Sequence, residues 1–238
     1  SILPSHTTYV EPFFGSGAVL FNKPFSKIET INDIDSRIVN FFKVCRDYPQ
    51  ELMTAINMTP LSREEYLKSY EKSDDSIEDA RRLMIRSWQA IGGKTSDKTG
   101  WRANININGS KIKEWNSLDT RIIAVAKRLK GVQIENQDIF KLIKRYNRPD
   151  VLMYLDPPYL LETRSKRMYK HEFSKNEHVK LLESLSNFKG KIILSGYDNK
   201  IYDTRLSDWD STTFETTAET GVHRIEKLWC NFKIPEFA

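Results

Sequence analysis

The tetrapeptide Asp156-Pro157-Pro158-Tyr159 carries the combination of side chains in this sequence that is best suited to chemistry. A carboxylate can accept hydrogen bonds from a ligand, and an aromatic ring offers a flat surface for stacking. The apolar run 151–155 comes directly before it and predicts a buried strand, which the prolines must end. Because ligands bind at the carboxyl ends of strands in open α/β sheets, Asp156 and Tyr159 are candidate site residues. An ordinary turn capped by Asp156 is the alternative for this segment taken alone.

A second candidate site lies near the beginning of the sequence. A β-branched and aromatic run at 7–10 leads into Gly15-Ser16-Gly17 and then into residues compatible with a helix. This order of strand, glycine turn and helix is typical of nucleotide or nucleoside sites, because glycine lets the backbone approach a ligand closely. The pair of glycines alone is also consistent with a plain tight turn, since the third glycine of a dinucleotide fingerprint is missing.

Two further predicted strands end in carboxylates. The run 27–35 ends in Asp33-Ile34-Asp35, where an acidic side chain is well placed to accept hydrogen bonds from ribose hydroxyls. Capping of the following helix is the alternative role, and the two aspartates can divide the two roles. The run 132–140 places Asp138 at the onset of another helix. We therefore expect Asp138 at the same edge of the sheet.

Composition limits the class of protein. With 238 residues, a net charge of +5 and a pI near 9.0, the chain can hold one large domain or a core with an insertion, and it suits a polyanionic partner. Cys45 and Cys230 lie in apolar segments, which predicts buried thiols and an intracellular, cytoplasmic location. The histidines show no zinc-ligand spacing and no run approaches the length of a membrane span, so neither a metal nor a membrane is expected. A monomer is the default expectation.

Residues 37–129 interrupt the sheet with successive amphipathic segments, at 36–47, 50–57, 63–72 and 77–91. This interval is too long for a simple crossover between strands and predicts a helical insertion. Within it, residues 92–113 form a predicted loop with a hairpin arm. The candidate nucleic-acid contacts combine basic and aromatic side chains, which suit phosphate contact and base stacking: Lys94, Lys98, Trp101, Arg102 and Lys111 in the arm, and Arg164, Lys166 and Arg167 in the loop after Tyr159. A merely solvated, charged loop is the alternative.

The last part of the sequence predicts an antiparallel hairpin. Residues 210–217 and 224–232 alternate as strands do, and a turn near Gly221 separates them. Pure dinucleotide-binding folds do not usually end in this way, whereas methyltransferase sheets do. The fold class expected is therefore α/β, with a mostly parallel sheet and a terminal antiparallel hairpin.

Together these segments resemble the amino-group DNA methyltransferases, most closely the Dam-like adenine-specific branch. Residues 11–17 are similar to that family's S-adenosylmethionine loop, residues 32–34 to its ribose-binding segment, and residues 137–140 to its cofactor-adenine segment. Residues 156–159 match its catalytic tetrapeptide in full. The family places its target-recognition domain between the ribose and adenine segments, which is where the insertion lies here.

The resemblance implies a Rossmann-like enzyme that transfers a methyl group from S-adenosylmethionine to the N6 amino group of an adenine flipped out of duplex DNA, in a bacterium or phage. It implies a catalytic domain of residues 1–36 and 130–238, and a target-recognition insertion of residues 37–129. The expected catalytic residues are Asp156, Pro157, Pro158 and Tyr159. The expected cofactor-binding residues are Glu11, Pro12, Phe13, Gly15, Ser16, Gly17, Asp33, Ile34, Asp138, Ile139 and Asp156. The DNA contacts expected are the eight basic and aromatic residues named above.

Alternatives to this function arise because the sequence departs from the family's pattern at one segment and because related enzymes catalyse similar reactions. The family usually carries a Gly-Gly-Lys segment ahead of the glycine loop, where this sequence has 1–6, and a protein without that segment would bind the cofactor less well. A catalytically silent DNA-binding module is therefore one alternative. Methylation of cytosine N4 is another, but it usually uses Ser in the place of Asp156. Protein glutamine methylation uses Asn there, and a nicotinamide oxidoreductase is supported by the glycine turn alone.

Overall fold

A computed structural model describes residues 3–91, 98–102, 111–163, 169–217 and 223–235, without the side chains at 111–113, 216–217 and 223–224. The chain divides into two compact units. The first unit consists of Ser1–Ile34 and Glu135–Ala238, and the second unit is Asp35–Ile134.

Within the described residues, seven strands form one sheet in the order β3-β2-β1-β4-β5-β7-β6. The strands are β1 (Thr8–Glu11), β2 (Ile28–Asn32), β3 (Val132–Glu135), β4 (Val151–Leu155), β5 (Lys191–Tyr197), β6 (Asp210–Thr217) and β7 (His223–Cys230). β1 runs parallel to β2 and β4, and β4 runs parallel to β5. β7 is antiparallel to both β5 and β6. The predicted mostly parallel sheet with a terminal hairpin is confirmed.

The central strand β4 is covered on both faces. Val151, Leu152, Met153 and Leu155 are at most 1% exposed, because β1 and β5 flank the strand and helices pack on the sheet. Continuous apolar runs are typical of parallel strands buried in this way. After Leu155 the prolines cannot continue the ladder, so the chain leaves the sheet at Asp156.

Helices pack on the sheet of the first unit and form the core of the second unit. They are α1 (Ala18–Asn22), α2 (Ser36–Asp47), α3 (Pro49–Asn57), α4 (Arg63–Lys68), α5 (Ser76–Gln89), α6 (Lys111–Asn116), α7 (Leu118–Leu129), α8 (Ile139–Arg145), α9 (Lys175–Leu185) and α10 (Lys200–Arg205). Of the helices described, none has the length and apolarity needed to cross a membrane. Ser174 and Glu177 form a capping box at the start of α9.

The second unit has its own hydrophobic core, which includes Leu52, Tyr66, Ile85 and Ile122. α5 ends at Gln89, two residues earlier than its periodicity predicts. Backbone pairing replaces the last helical turn: the Ile91 amide donates to Gly100 (2.9 Å), and the Arg102 amide donates to Gln89 (2.8 Å). The predicted arm 92–113 differs at its end, where α6 begins at Lys111. Residues 92–97 and 103–110 lie outside the described chain.

Both cysteines are buried thiols, as predicted, with Cys45 in α2 and Cys230 at the end of β7. Burial raises the pKa of each thiol to about 12. Neither side chain is therefore a reactive thiolate at neutral pH.

Candidate active site

The carboxyl ends of the first unit's strands bring the predicted site segments to one edge of the sheet. The parallel register aligns Glu11 with Ile31 and Val10 with Met153, so the chain leaves β1, β2 and β4 at neighbouring points. The loop with Gly15 follows β1, Asp33 follows β2, and Asp156 follows β4.

One buried amide ties three strand exits together. The Asn32 amide nitrogen donates to the carbonyls of Pro12 (2.9 Å) and Gln137 (3.1 Å), and its oxygen accepts from the Gln137 amide (2.7 Å). The Phe14 amide donates in turn to the Asn32 carbonyl at 2.9 Å. Asn32 is only 2% exposed, so these bonds are shielded from water and fix the loops relative to one another.

The glycine loop needs both of its glycines, for different reasons. Gly15 and Gly17 have φ of 48° and 71°, a region that favours glycine. A Cβ atom on Gly17 would lie 2.6 Å from a ring carbon of Phe21 and closer still to Phe14, whereas a Cβ on Gly15 would meet nothing within 4 Å. Gly17 is therefore required by internal packing. Gly15 and the exposed Ser16 present open backbone that a ligand can approach.

Glu11 is a buried carboxylate at the end of β1, 3% exposed. It accepts hydrogen bonds from the Tyr9 hydroxyl (2.8 Å) and from the Leu20 amide of α1 (3.1 Å). Burial raises the pKa of Glu11 to about 7, and the nearby charge of Asp156 also raises it, while the two hydrogen bonds and Lys23 oppose the shift. Glu11 thus accepts from the first turn of α1 and lies close enough to Asp156 for the two charges to interact.

The acidic segments after β2 and β3 supply acceptors and apolar surface. An Asp33 carboxylate oxygen accepts from the Gly15 amide at 2.9 Å, and the neighbouring Ile34 is 51% exposed. Asp35 caps α2 through the Arg37 amide, which confirms the capping role for one of the two aspartates, and ribose binding by Asp33 stays a prediction. Asp138 caps α8 in the same way. These features suit a nucleoside: a carboxylate can accept from ribose hydroxyls, open loop backbone allows close approach, and an exposed aliphatic side chain can pack on a base.

Asp156 is accessible to solvent but closely surrounded by protein atoms. This desolvation raises the pKa of Asp156 to about 6; hydrogen bonding by Tyr159 and Ser195 opposes the shift, and the charge of Glu226 adds to it. The carboxylate is therefore still open to solvent, and it can accept hydrogen bonds from a group that approaches from there.

Tyr159 is held by β5. Its hydroxyl lies 3.1 Å from the hydroxyl of Ser195, and its ring meets Tyr197 edge to face, with the ring centres 4.6 Å apart. Ser195 is 2% exposed, so its hydroxyl is fixed by the strand. The ring of Tyr159 is therefore positioned by a second strand of the sheet.

Three residues that lie beside the tetrapeptide were not among the predicted site residues: Ser195, Tyr197 and Glu226. The register pairs Tyr197 on β5 with Glu226 on β7, two residues along from Ser195, so all three side chains lie on one face of the sheet. A polar residue within the apolar run 191–197 was the available signal for Ser195.

Three of the predicted nucleic-acid contacts lie beside α5 in the second unit. The Trp101 indole nitrogen donates to Gln89 (3.1 Å), and Arg102 donates from Nε to the Ala90 carbonyl (3.1 Å). The Lys98 ammonium lies 5.5 Å from the centre of the Tyr70 ring. Lys111 is the first residue of α6, and its side chain is not among those that the structure describes. Lys94, Arg164, Lys166 and Arg167 lie outside the described residues. DNA contact by all eight stays a prediction.

Comparison with known proteins gives a family match and two curated relatives. A family model described as D12 class N6 adenine-specific DNA methyltransferase matches residues 1–223, which include every predicted site segment. A Type II methyltransferase, M1.LlaDCHI of Lactococcus lactis subsp. cremoris, is 25% identical over 231 residues, covering 90% of this chain and 80% of that protein. A Type II methyltransferase, M.MjaIII of Methanocaldococcus jannaschii, is 26% identical over 215 residues, covering 80% of this chain and 74% of that protein.

Proposed function

Because the chain belongs to the D12 class N6 adenine-specific DNA methyltransferases, we propose that the edge of the sheet around Asp156 methylates adenine N6 in double-stranded DNA with S-adenosylmethionine as methyl donor. The observation that carries this proposal is the position of Asp156. It lies directly after the central strand, with Tyr159 beside it, at the edge where the Gly15 loop presents open backbone.

The residues around the glycine loop fit the cofactor. The backbone at Gly15 and Ser16 leaves room for close approach, Asp33 would accept hydrogen bonds from the ribose hydroxyls, and Ile34 would cover one face of the cofactor adenine. Ile139 and the capping residue Asp138 would border the same adenine. When bound, the cofactor supplies a methyl group attached to a positively charged sulfur atom.

Asp156 and Pro157 would prepare the amino group. The lone pair of adenine N6 is delocalised into the ring, which makes the amine a poor nucleophile. Hydrogen bonds from its two N–H groups to the Asp156 carboxylate and the Pro157 carbonyl would hold the nitrogen pyramidal, with its lone pair directed out of the ring plane. The ionised carboxylate can also receive the proton that the nitrogen must lose. Cytosine N4 methylation is less favoured, since Ser usually replaces Asp156 there.

Tyr159 would receive the base. N6 is unreachable inside a duplex, so the adenine must be flipped out, at a cost of about a few kcal/mol. Stacking on an aromatic side chain contributes about 1–3 kcal/mol, which offsets much of that cost. The contacts with Ser195 and Tyr197 support this role, because the ring is held in place before the base arrives.

Methyl transfer from labelled S-adenosylmethionine to an adenine-containing duplex tests the proposal. The purified protein should produce N6-methyladenine in the digested DNA, and Asp156→Ala should abolish the product while the far-UV circular dichroism spectrum stays unchanged. Asp150→Ala, an exposed carboxylate at the opposite end of β4, is the matched control and should retain activity. Label recovered in cytosine, or full activity of Asp156→Ala, would refute the assignment.

The names of the two relatives, both Type II methyltransferases, support site-specific methylation within a restriction–modification system. Sequencing DNA from cells that express this protein should show methylated adenines at one short recurring sequence. Methylated adenines that share no common sequence would contradict this part of the proposal.

A further inference from the structure

Two cations meet at one aromatic ring in the second unit. The Arg86 guanidinium lies 5.6 Å from the centre of the Tyr70 ring, and the Lys98 ammonium lies 5.5 Å from it. Arg86 is in the last turn of α5, and Lys98 precedes the backbone segment 99–102 that pairs with the end of that helix. The Thr99 amide also donates to the Tyr70 hydroxyl at 3.1 Å, which holds this segment against the ring.

Arg86 differs from the other arginines of α5 in its partners. Arg81 and Arg82 both bind Glu78 at 2.7 Å. Among the residues that the structure describes, Arg86 makes no ion pair and no side-chain hydrogen bond. The only partner described for its side chain is the Tyr70 ring.

The surroundings of Arg86 leave its charge incompletely balanced. Desolvation lowers the pKa of Arg86, and the positive charge of Arg37 lowers it further, while Asp35 and Asp79 favour the charge from a distance. Asp79 is already bound to Arg37 at 3.0 Å, and Asp35 caps α2. A guanidinium stays protonated even so, and a partly buried cation without an anionic partner is unfavourable.

We propose that Arg86 and Lys98 form a binding site for a phosphodiester of the DNA backbone. A phosphodiester would supply the missing negative charge: the guanidinium and the ammonium can each donate hydrogen bonds to its two non-bridging oxygens. Both cations lie beside the same Tyr70 ring, and Lys98 is exposed, so its side chain can turn toward an anion bound at Arg86. The inference rests on the proposed function, because it takes duplex DNA as the ligand.

A structural role for Arg86 is the competing explanation. A cation near the carboxyl end of a helix interacts favourably with the helix dipole, and its contact with Tyr70 adds to that stability. The two explanations differ in what the substitution of Arg86 changes: DNA binding in one case, and only thermal stability in the other.

The salt dependence of DNA binding distinguishes them. Fluorescence anisotropy with a labelled duplex, over a series of salt concentrations, should give a slope of log K against log[salt] that is smaller by about 0.9 for Arg86→Gln and for Lys98→Gln. For the double variant, the slope should be smaller by about 1.8. A phosphate contact carries no sequence information, so a duplex with the methylated sequence and an unrelated duplex should weaken alike. Arg82→Gln, in the same helix but with its charge already paired, is the control and should keep the wild-type slope.

Further measurements separate this inference from the proposed function. If the wild-type protein fails to bind or methylate DNA, the proposed function falls and this site with it. If the wild type binds DNA and Arg86→Gln keeps its slope while losing thermal stability, the structural role is correct and the site is refuted.

Lys98 is exposed, so Lys98→Gln tests the site without affecting folding. Arg86→Lys should keep most of the slope. Inorganic phosphate alone should weaken DNA binding of Arg86→Gln less than that of the wild type; equal competition would also refute the site.

Discussion

The Tyr159 hydroxyl lies 3.1 Å from the Ser195 hydroxyl, which joins the tetrapeptide after β4 to the neighbouring strand β5. Because Ser195 is 2% exposed and the edge of Tyr197 also meets the ring, the orientation of Tyr159 is fixed by the sheet. Burial raises the pKa of Asp156, and the Ser195 hydroxyl, like that of Tyr159, opposes this shift. Ser195 is thus a positioning residue that acts on both members of the site.

Ser195→Ala should slow methyl transfer more than it weakens DNA binding. Losing one buried hydrogen bond costs about 1 kcal/mol, which corresponds to about a fivefold lower kcat. The acid limb of the pH–rate profile should also move to higher pH, since Ser195 no longer favours the ionised form of Asp156. Steady-state rates over a pH series measure both effects.

Tyr159→Phe provides the companion variant: it keeps the stacking ring but removes the hydrogen bond with Ser195 from the other side, together with the hydrogen bond of Tyr159 to Asp156. If the two hydroxyls act together, the double variant should be about as slow as the slower single variant. Fully additive losses would mean that Ser195 and Tyr159 act independently. An unmoved acid limb in Ser195→Ala would argue for a purely structural role of Ser195.

The rate should depend on pH through the ionisation of Asp156. Desolvation raises the pKa of this carboxyl to about 6, and only the ionised form is a strong acceptor for the amine that can also receive its proton. Activity should therefore rise with pH through about 6, and kcat/KM should be about tenfold lower at pH 5 than at pH 7. Asp156→Asn should lower the rate by about 100-fold or more and remove this pH dependence. A profile that is flat between these values in the wild type would contradict the role given to the carboxylate.

Local chemistry explains which features could be predicted from the sequence. The apolar run before Asp156 and the prolines after it specify a buried strand and its end, and the caps at Asp35 and Asp138 follow from short-range hydrogen bonding. The partnership of Tyr159 with Ser195 could not be predicted, because it depends on the register of two strands 36 residues apart in sequence. The shortened end of α5 likewise depends on pairing with a distant segment.

The two glycines of the loop should respond differently to alanine. Gly17→Ala combines a strained positive φ with overlap of the new methyl group on Phe14 and Phe21, so the free energy of unfolding should fall by about 2 kcal/mol or more. Gly15→Ala carries the backbone strain alone and should cost about 1 kcal/mol. Gly15→Ala should nonetheless weaken S-adenosylmethionine binding, because its methyl group enters the open space of the loop. Urea denaturation and calorimetric titration measure the two effects, and equal destabilisation by both variants would contradict the packing argument.

The buried carboxyl of Glu11 should make the folded protein less stable as the pH rises. Burial raises its pKa from the usual 4.5 to about 7. Between those values the unfolded chain loses the proton while the folded chain keeps it, so the stability of the cofactor-free protein should fall by up to about 3 kcal/mol from pH 4.5 to pH 7 because of this group and then level off. Glu11→Gln removes the titration, and its amide oxygen can still accept from Tyr9 and Leu20. The variant should therefore be more stable than the wild type at pH 8 and no more stable at pH 4.5, in urea denaturation at each pH. If Glu11→Gln lowers the free energy of unfolding equally at both pH values, the ionised form of Glu11 is not destabilised by burial and this prediction is wrong.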